Sequence, residues 1–400
     1  MTRYNFDKIT NRKGTNCLKY DFAVERGKPA DVLPLWVADM DFPVSEEITK
    51  SLHAAVEHGI YGYTQPKDAY YNAVMNWMER NHNWKTEREW IVKTPGVVFA
   101  LGAAVKAFTD PGDAILIQNP VYYPFTNIIR DNDRRVVDNT LIYEKTAGQS
   151  GDNGYRIDFE DFERKLEQEH IKLFILCNPH NPVGRVWTAE ELQQLGEICL
   201  RHHVIVVSDE IHNDFVYPGY EHTVFATVDP RFAEFTVTCT APSKTFNLAG
   251  LQISNIFIPN EKLRKAFQTE IDKTGYDEPN ALGIVACEAA YRAGEDWLDQ
   301  LRAYLLKNLN FLRNFLQEKI PQIHLVEPEG TYLVWLDCSE LGITGKELDQ
   351  FIVDKAGLWL DGGSMFGPSG AAFQRVNIAC PQATLELALN KLKAAVDNLK

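Results

Sequence analysis

The chain has 400 residues, 45% apolar and 24% charged, enough for two or three packed domains of an ordinary globular protein. Its formal net charge of −14 repels phosphate backbones, which argues against nucleic acid as a partner. The seven dispersed cysteines have no C-x-x-C pair or metal-ligand spacing, so a reducing compartment and no bound metal are expected.

Residues 1–13 are polar and charged and lack the apolar stretch of a secretion signal. No run approaches the ~20 apolar residues that cross a bilayer. A cytoplasmic protein without membrane contact is therefore expected. The first fifty residues are rich in loops and are expected to pack against the C-terminal part. From about residue 90 to 259, short apolar runs alternate with amphipathic helices, the pattern of an α/β sheet. A helix begins at Gly96, and strands are predicted at 114–118, 135–142, 172–177, 204–207, 235–240 and 253–258. Between two of these lies a helix over 188–202, whose start is fixed by a capping box of Thr188 and Glu191. Beyond Gly275 the pattern turns α+β. Residues 280–319 are helical with a break at Gly294, followed by a strand at 332–337 and a helix at 345–356. Short strands near Leu358 and Val376 and a last helix from Gln382 complete the chain. The predicted division is a large domain, 49–286, and a smaller α+β domain made of 1–48 with 287–400.

Three consecutive strands of the central region are each followed by a polar group: Asn181, Asp209 and Lys244. Ligands of open α/β sheets sit at the carboxyl ends of strands, so these groups converge on one site. Their chemistry matches pyridoxal phosphate. The cofactor is an electron sink only while its ring nitrogen stays protonated, and a carboxylate such as Asp209 maintains that state. Asn181 and His212 can face the ring hydroxyl, and Lys244 can form a Schiff base and later act as a base. The amides of Val97 and Val98, at a helix start, and the Ser243 hydroxyl suit a phosphate. The Tyr122 ring can stack on the pyridine. Singly, each residue has a plainer explanation: a cap for Asp209, a turn for Asn181, a tight corner for Gly96, a rim aromatic for Tyr122. His212 alone reads as a structural histidine and Lys244 alone as a solvated one. Only the combination, in this order and at these strand ends, points to chemistry.

The order G-V-V, P-V-Y-Y, N-P-x-N-P-x-G, S-D-E-I-H and S-K-T-F-N resembles fold-type I pyridoxal-phosphate enzymes of the class I/II aminotransferase superfamily. LWVADMDFP (35–43), YGYTQP (61–66), APSKTFNLAGLQ (241–252) and RVNIACP (375–381) resemble its cystathionine β-lyase, or C–S lyase, branch. The resemblance implies an α/β fold of type I, with a central, mostly parallel sheet and a smaller α+β domain. It implies Lys244, Asp209 and Tyr122 as catalytic residues and Val97, Val98, Asn181, His212 and Ser243 as further cofactor contacts. Arg375 would clamp the substrate α-carboxylate. Tyr63 would reach the phosphate across a homodimer interface, and Asp39, Trp36 and Tyr332 would line the substrate pocket. Two departures set the chain apart from ordinary transaminases: Gln252 stands where many of them carry a phosphate-binding Arg, and His212 where many carry Tyr. The implied activity is cleavage of a thioether amino acid to a thiol, pyruvate and ammonia. An aminotransferase shares the same lysine and the same first steps, and a regulatory binding protein on the same scaffold is a third possibility.

Overall fold

Short runs, mostly buried, form the centre of the molecule. In the computed structural model, which describes residues 3–145 and 153–399, seven of these runs make one sheet. We label them β1 (Ile91–Thr94), β2 (Ala114–Ile117), β3 (Arg135–Asp138), β4 (Leu173–Cys177), β5 (Ile205–Asp209), β6 (Thr236–Thr240) and β7 (Ser254–Phe257). Their order across the sheet is β1-β7-β6-β5-β4-β2-β3. The five strands β6-β5-β4-β2-β3 pair in parallel, and β7 runs antiparallel to both of its neighbours. Both faces of such a sheet must be covered, which explains why β4 is apolar at every position. Leu173, Ile175 and Cys177 pack on the side of helices Val97–Phe108 and Glu261–Asp272. Phe174 and Leu176 pack on the side of Phe159–Gln168 and Ala189–Arg201.

The predicted elements recur with small shifts at their ends. The capping box forms as expected, Thr188 accepting from the Glu191 N–H while Glu191 bonds back to the Thr188 N–H. The strand expected at 135–142 is split. It leaves the sheet at Asn139, whose buried side chain bonds Asp161, the Asp158 carbonyl and Gln118. The next pair, Ile142–Tyr143, joins Tyr155–Arg156 in a separate ribbon. A buried amide held on three sides fixes the turn more strongly than the apolar run can extend the strand.

The second sheet holds four antiparallel strands in the order His324–Val326, Leu333–Asp337, Phe373–Asn377, Asp361–Gly362. The N-terminal segment is stitched to this part: Leu33–Pro34 pairs in parallel with Leu358–Trp359, and Asp41 N–H bonds the Ala379 carbonyl at 3.0 Å. The break at Gly294 separates helices Ala281–Ala293 and Glu295–Lys319. A Cβ there would stand 2.4 Å from the Phe246 ring, so only glycine admits this contact. Among the described residues no helix is long and apolar enough to cross a membrane.

Candidate active site

β4, β5 and β6 end side by side, Cys177 in register with Asp209 and Asp209 with Cys239. At these ends a cavity of about 170 Å³ opens, lined by Tyr122, Asn181, Asp209, His212, Ser243 and Lys244. Its far wall is Gly96, Val97 and Val98, the start of helix Val97–Phe108, whose unpaired N–H groups lie at the positive helix end. Every cofactor-site residue expected from the sequence meets here except Tyr63.

Asp209 is the last residue of β5, and its Oδ1 accepts from the Ile211 N–H at 3.2 Å. Lys244 sits in a one-turn helix, Pro242–Thr245, which Pro242 opens with a preset φ. Its Nζ donates to the Ala38 carbonyl at 2.9 Å. Burial pushes the Asp209 carboxyl up to about 7, opposed by the Ile211 bond and the Lys244 charge. Burial, reinforced by the Arg375 charge, lowers the Lys244 amine to about 8, with Asp39 and Asp209 acting in the other direction. His212 is held neutral: burial and then the charges of Lys244 and Arg375 press its pKa well below the ordinary range. An acid and an amine that line one cavity and are both perturbed by burial mark it as a functional site.

Arg375 lies on strand Phe373–Asn377, opposite Asp361 in register. Its Nη1 donates to Asn181 Oδ1 at 3.0 Å, its Nη2 to the Trp36 carbonyl at 3.0 Å, and it forms a buried ion pair with Asp361. Trp36 stacks on Trp359, ring centroids 4.4 Å apart. Tyr332 Oη donates to the Ala38 carbonyl, and Asp39 pairs with Arg12. Tyr63 is 96% exposed and lies off this cavity, beside the exposed Ile60 and Tyr61.

Several participants escaped the sequence reading. Ala38 acts through its carbonyl, which no side-chain pattern reveals. Asp361 is visible only in its place before the Gly362–Gly363 pair, and Cys177 reads simply as the end of an apolar strand. Gln252, noted only as a departure, lines the cavity itself.

The donor set fits pyridoxal phosphate. His212 Nδ1 and Arg375 Nε are buried without a hydrogen-bond partner among the described residues. Buried polar groups left this way cost about 1–3 kcal/mol each, a cost that a ligand with matching groups removes. A carboxylate for a ring nitrogen, an amide for a ring hydroxyl, helix-end amides for a phosphate and a lysine for an aldehyde all face one space.

The aminotransferase class I and II family matches residues 30–392 of the chain. The cystathionine β-lyase PatB of Bacillus subtilis is 46% identical over 98% of this chain and 100% of its own length. The crystal structure of cystalysin from Treponema denticola, which contains a pyridoxal 5'-phosphate cofactor, superposes with a TM-score of 0.94 at 38% identity, over 99% of this chain and 100% of its own. The pyridoxal-phosphate-bound C–S lyase of Staphylococcus hominis gives 0.91 at 35%, over 98% of each chain. The chain belongs to the aminotransferase class I and II family, on the branch that holds cystathionine β-lyases and C–S lyases.

Proposed function

We propose that this protein is a pyridoxal-phosphate-dependent carbon–sulfur β-lyase of the cystathionine β-lyase type. It cleaves a thioether amino acid to a thiol, pyruvate and ammonia. The observation that carries the reading is the meeting of Lys244, Asp209 and Asn181 around one cavity, with Arg375 bonded to Asn181 behind it, in a chain 46% identical to PatB along its length.

Bound pyridoxal phosphate supplies an electron sink for the negative charge that develops at the amino acid's Cα. In our reading, Lys244 carries the cofactor, and Val97, Val98 and Ser243 hold the phosphate. Asn181 and His212 face the ring hydroxyl, and Tyr122 lies against the ring. Asp209 would keep the proton on the ring nitrogen, and that cation would offset the cost of burying its carboxylate. The fork of Arg375 takes the α-carboxylate, and Asn181 and Asp361 hold that fork in one plane. The Lys244 amine, which burial lowers to about 8 in the free protein, would be the group that takes the Cα proton. The electron pair left at Cα would form a Cα=Cβ bond as the Cβ–S bond breaks with its own pair on sulfur. Sulfur would depart as the thiol after taking a proton, and the released 2-aminoacrylate would take up water to give pyruvate and ammonia. The Ala38 carbonyl lines the cavity and accepts from Lys244, and the Trp36 carbonyl holds the Arg375 guanidinium, so one backbone segment orients both cations.

We place the working unit as a cytoplasmic homodimer in which Tyr63 reaches the phosphate of the opposite site. Its support is the near-complete exposure of Tyr63 beside Ile60 and Tyr61, an apolar group of the kind that subunits cover. We divide the chain into a larger unit, 49–286, and a smaller one, 1–48 with 287–400, on the strength of its two main sheets.

Incubation of the cofactor-loaded protein with L-cystathionine, without added keto acid, tests the reading. Equal amounts of pyruvate and free thiol are expected. Transfer of the amino group from L-cystathionine to an added keto acid, with neither pyruvate nor free thiol released, overturns it in favour of a transaminase.

A further inference from the structure

The element that carries Lys244 is a single helical turn, Pro242–Thr245, closed by one bond from Phe246 N–H to the Pro242 carbonyl at 2.9 Å. An isolated turn is too short to hold its own shape. Its position must come from outside, and Thr245, next to Lys244, supplies the tie: its Oγ1 donates to Asp214 Oδ2 at 2.5 Å. The other oxygen of Asp214 accepts from Trp77 Nε1 at 3.2 Å and His82 Nε2 at 3.0 Å, both on helix Asp68–His82. Arg302 Nε donates to the Asp214 carbonyl at 2.7 Å. Burial alone would push the Asp214 carboxyl up, but the His82 contacts and then the Arg302 and Thr245 contacts outweigh it and hold it below its ordinary value. The group therefore stays an anion in the protein interior.

Asp214 also ends the tight turn that begins at Asp209, where Asn213 N–H bonds the Glu210 carbonyl at 3.0 Å and Phe215 N–H bonds the His212 carbonyl at 2.9 Å. One buried carboxylate thus joins the turn bearing Asp209 and His212 to the turn bearing Lys244, and anchors both to helix Asp68–His82. We propose that Asp214 and Thr245 are positioning residues that fix the Lys244 amine against the Asp209 carboxylate. The proposal rests on the reading of Lys244 as the cofactor-bearing lysine. Neither residue touches the cavity; each acts through its neighbour in the chain.

Thr245→Val keeps the shape of the side chain and removes the donor, and Thr245→Ser keeps the donor. The visible absorbance band of the lysine-bound cofactor is titrated with pH in the wild-type holoenzyme and both variants. Steady-state pyruvate release from L-cystathionine is measured alongside. Thr245→Val is expected to move the midpoint of the titration by about half a pH unit or more and to lower kcat about tenfold with KM within about twofold. Thr245→Ser is expected to return both to near the wild-type values. A Thr245→Val holoenzyme that titrates like wild type overturns the proposal, as does a Thr245→Ser variant equally impaired, which would indicate packing alone. If Thr245→Val yields no folded holoenzyme, Trp77→Phe removes a donor from the far side of Asp214, and the same two outcomes decide. A wild-type protein with no visible band after addition of pyridoxal phosphate overturns the cofactor reading and this inference with it, while an unmoved midpoint in a clearly coloured variant overturns only the inference.

Discussion

Tyr332 Oη and Lys244 Nζ donate to the same acceptor, the carbonyl oxygen of Ala38, at 3.0 and 2.9 Å. A carbonyl has two lone pairs and serves both. The segment around Ala38 is itself pinned: Asn377 Nδ2 donates to the carbonyls of Val37 and Asp39, and Asn247 Nδ2 to those of Met40 and Phe42. Tyr332→Phe keeps the ring against Phe215, edge-on at 4.9 Å, and deletes only the hydroxyl. The expected cost is about 1 kcal/mol of unfolding stability, read from urea melts. A kcat lowered roughly threefold to tenfold is expected with little change in KM, because Ala38 is then held less firmly against Lys244. Unchanged kcat would show that Tyr332 serves packing only.

Asp209 gives a pH prediction for the cofactor-free protein. Its folded carboxyl titrates up to about 7, because of burial. In an unfolded chain the same group titrates near about 3.9. Between those values the folded state keeps a proton that the unfolded state has released, so stability falls as pH rises through the window. Asp209→Asn removes this dependence. At pH 8 the cofactor-free variant should be more stable than the cofactor-free wild type by on the order of 1–3 kcal/mol, and the two should converge near pH 4. Thermal melts across that range check it. Equal melts at pH 8 would mean that solvent or a neighbour already satisfies the carboxylate. The variant should nevertheless lose most of its lyase activity, since the ring nitrogen loses its counter-ion.

Much of this site could be read from the chain because its parts are side chains at strand ends. Asn181, Asp209 and Lys244 follow three buried apolar runs that are adjacent in both sequence and sheet, so the topology needed no long-range guess. The strand at 135–142 was overextended because a buried Asn139 with three partners looks, in sequence, like any polar residue in an apolar run. Gly294 could be seen as a break, but its reason, the Phe246 ring against the helix, is a tertiary contact. The partners that only folding brings together stayed hidden. The Ala38 carbonyl lies more than two hundred positions from Lys244 in the chain, and the Asp214–Thr245 bond joins two residues that each look like ordinary loop polar groups.

Arg375 and Asp361 are buried together, so removing the Arg375 charge and only reshaping it should have different consequences. Arg375→Ala leaves Asp361 as an uncompensated interior charge and should cost about 3–5 kcal/mol of stability. Arg375→Lys keeps the charge and loses the planar fork that engages Asn181, Asp361 and a substrate carboxylate together. For the lysine variant, KM for L-cystathionine should rise about 30-fold, roughly 2 kcal/mol, with a smaller change in kcat. Steady-state kinetics and urea melts of the two variants separate binding from folding. A lysine variant with an ordinary KM would remove Arg375 from substrate recognition.

Tyr63 lies off its own chain's cavity, and its proposed role is met only if two subunits share each site. That arrangement makes a prediction that no single-chain role shares. Lys244→Ala alone should be inactive, and Tyr63→Ala alone strongly impaired. In a hybrid dimer of the two variants, one site combines the intact Lys244 of one subunit with the intact Tyr63 of the other. The second site collects both defects. Random assembly at equal amounts makes half of the dimers hybrids with one working site of two, so about a quarter of wild-type activity should return on unfolding and refolding the mixture together. Mixing the two variants without refolding should return less if the dimer exchanges subunits slowly. Activity no greater than the average of the two parents, in a refolded mixture shown to contain hybrids, would place Tyr63 outside the neighbouring site.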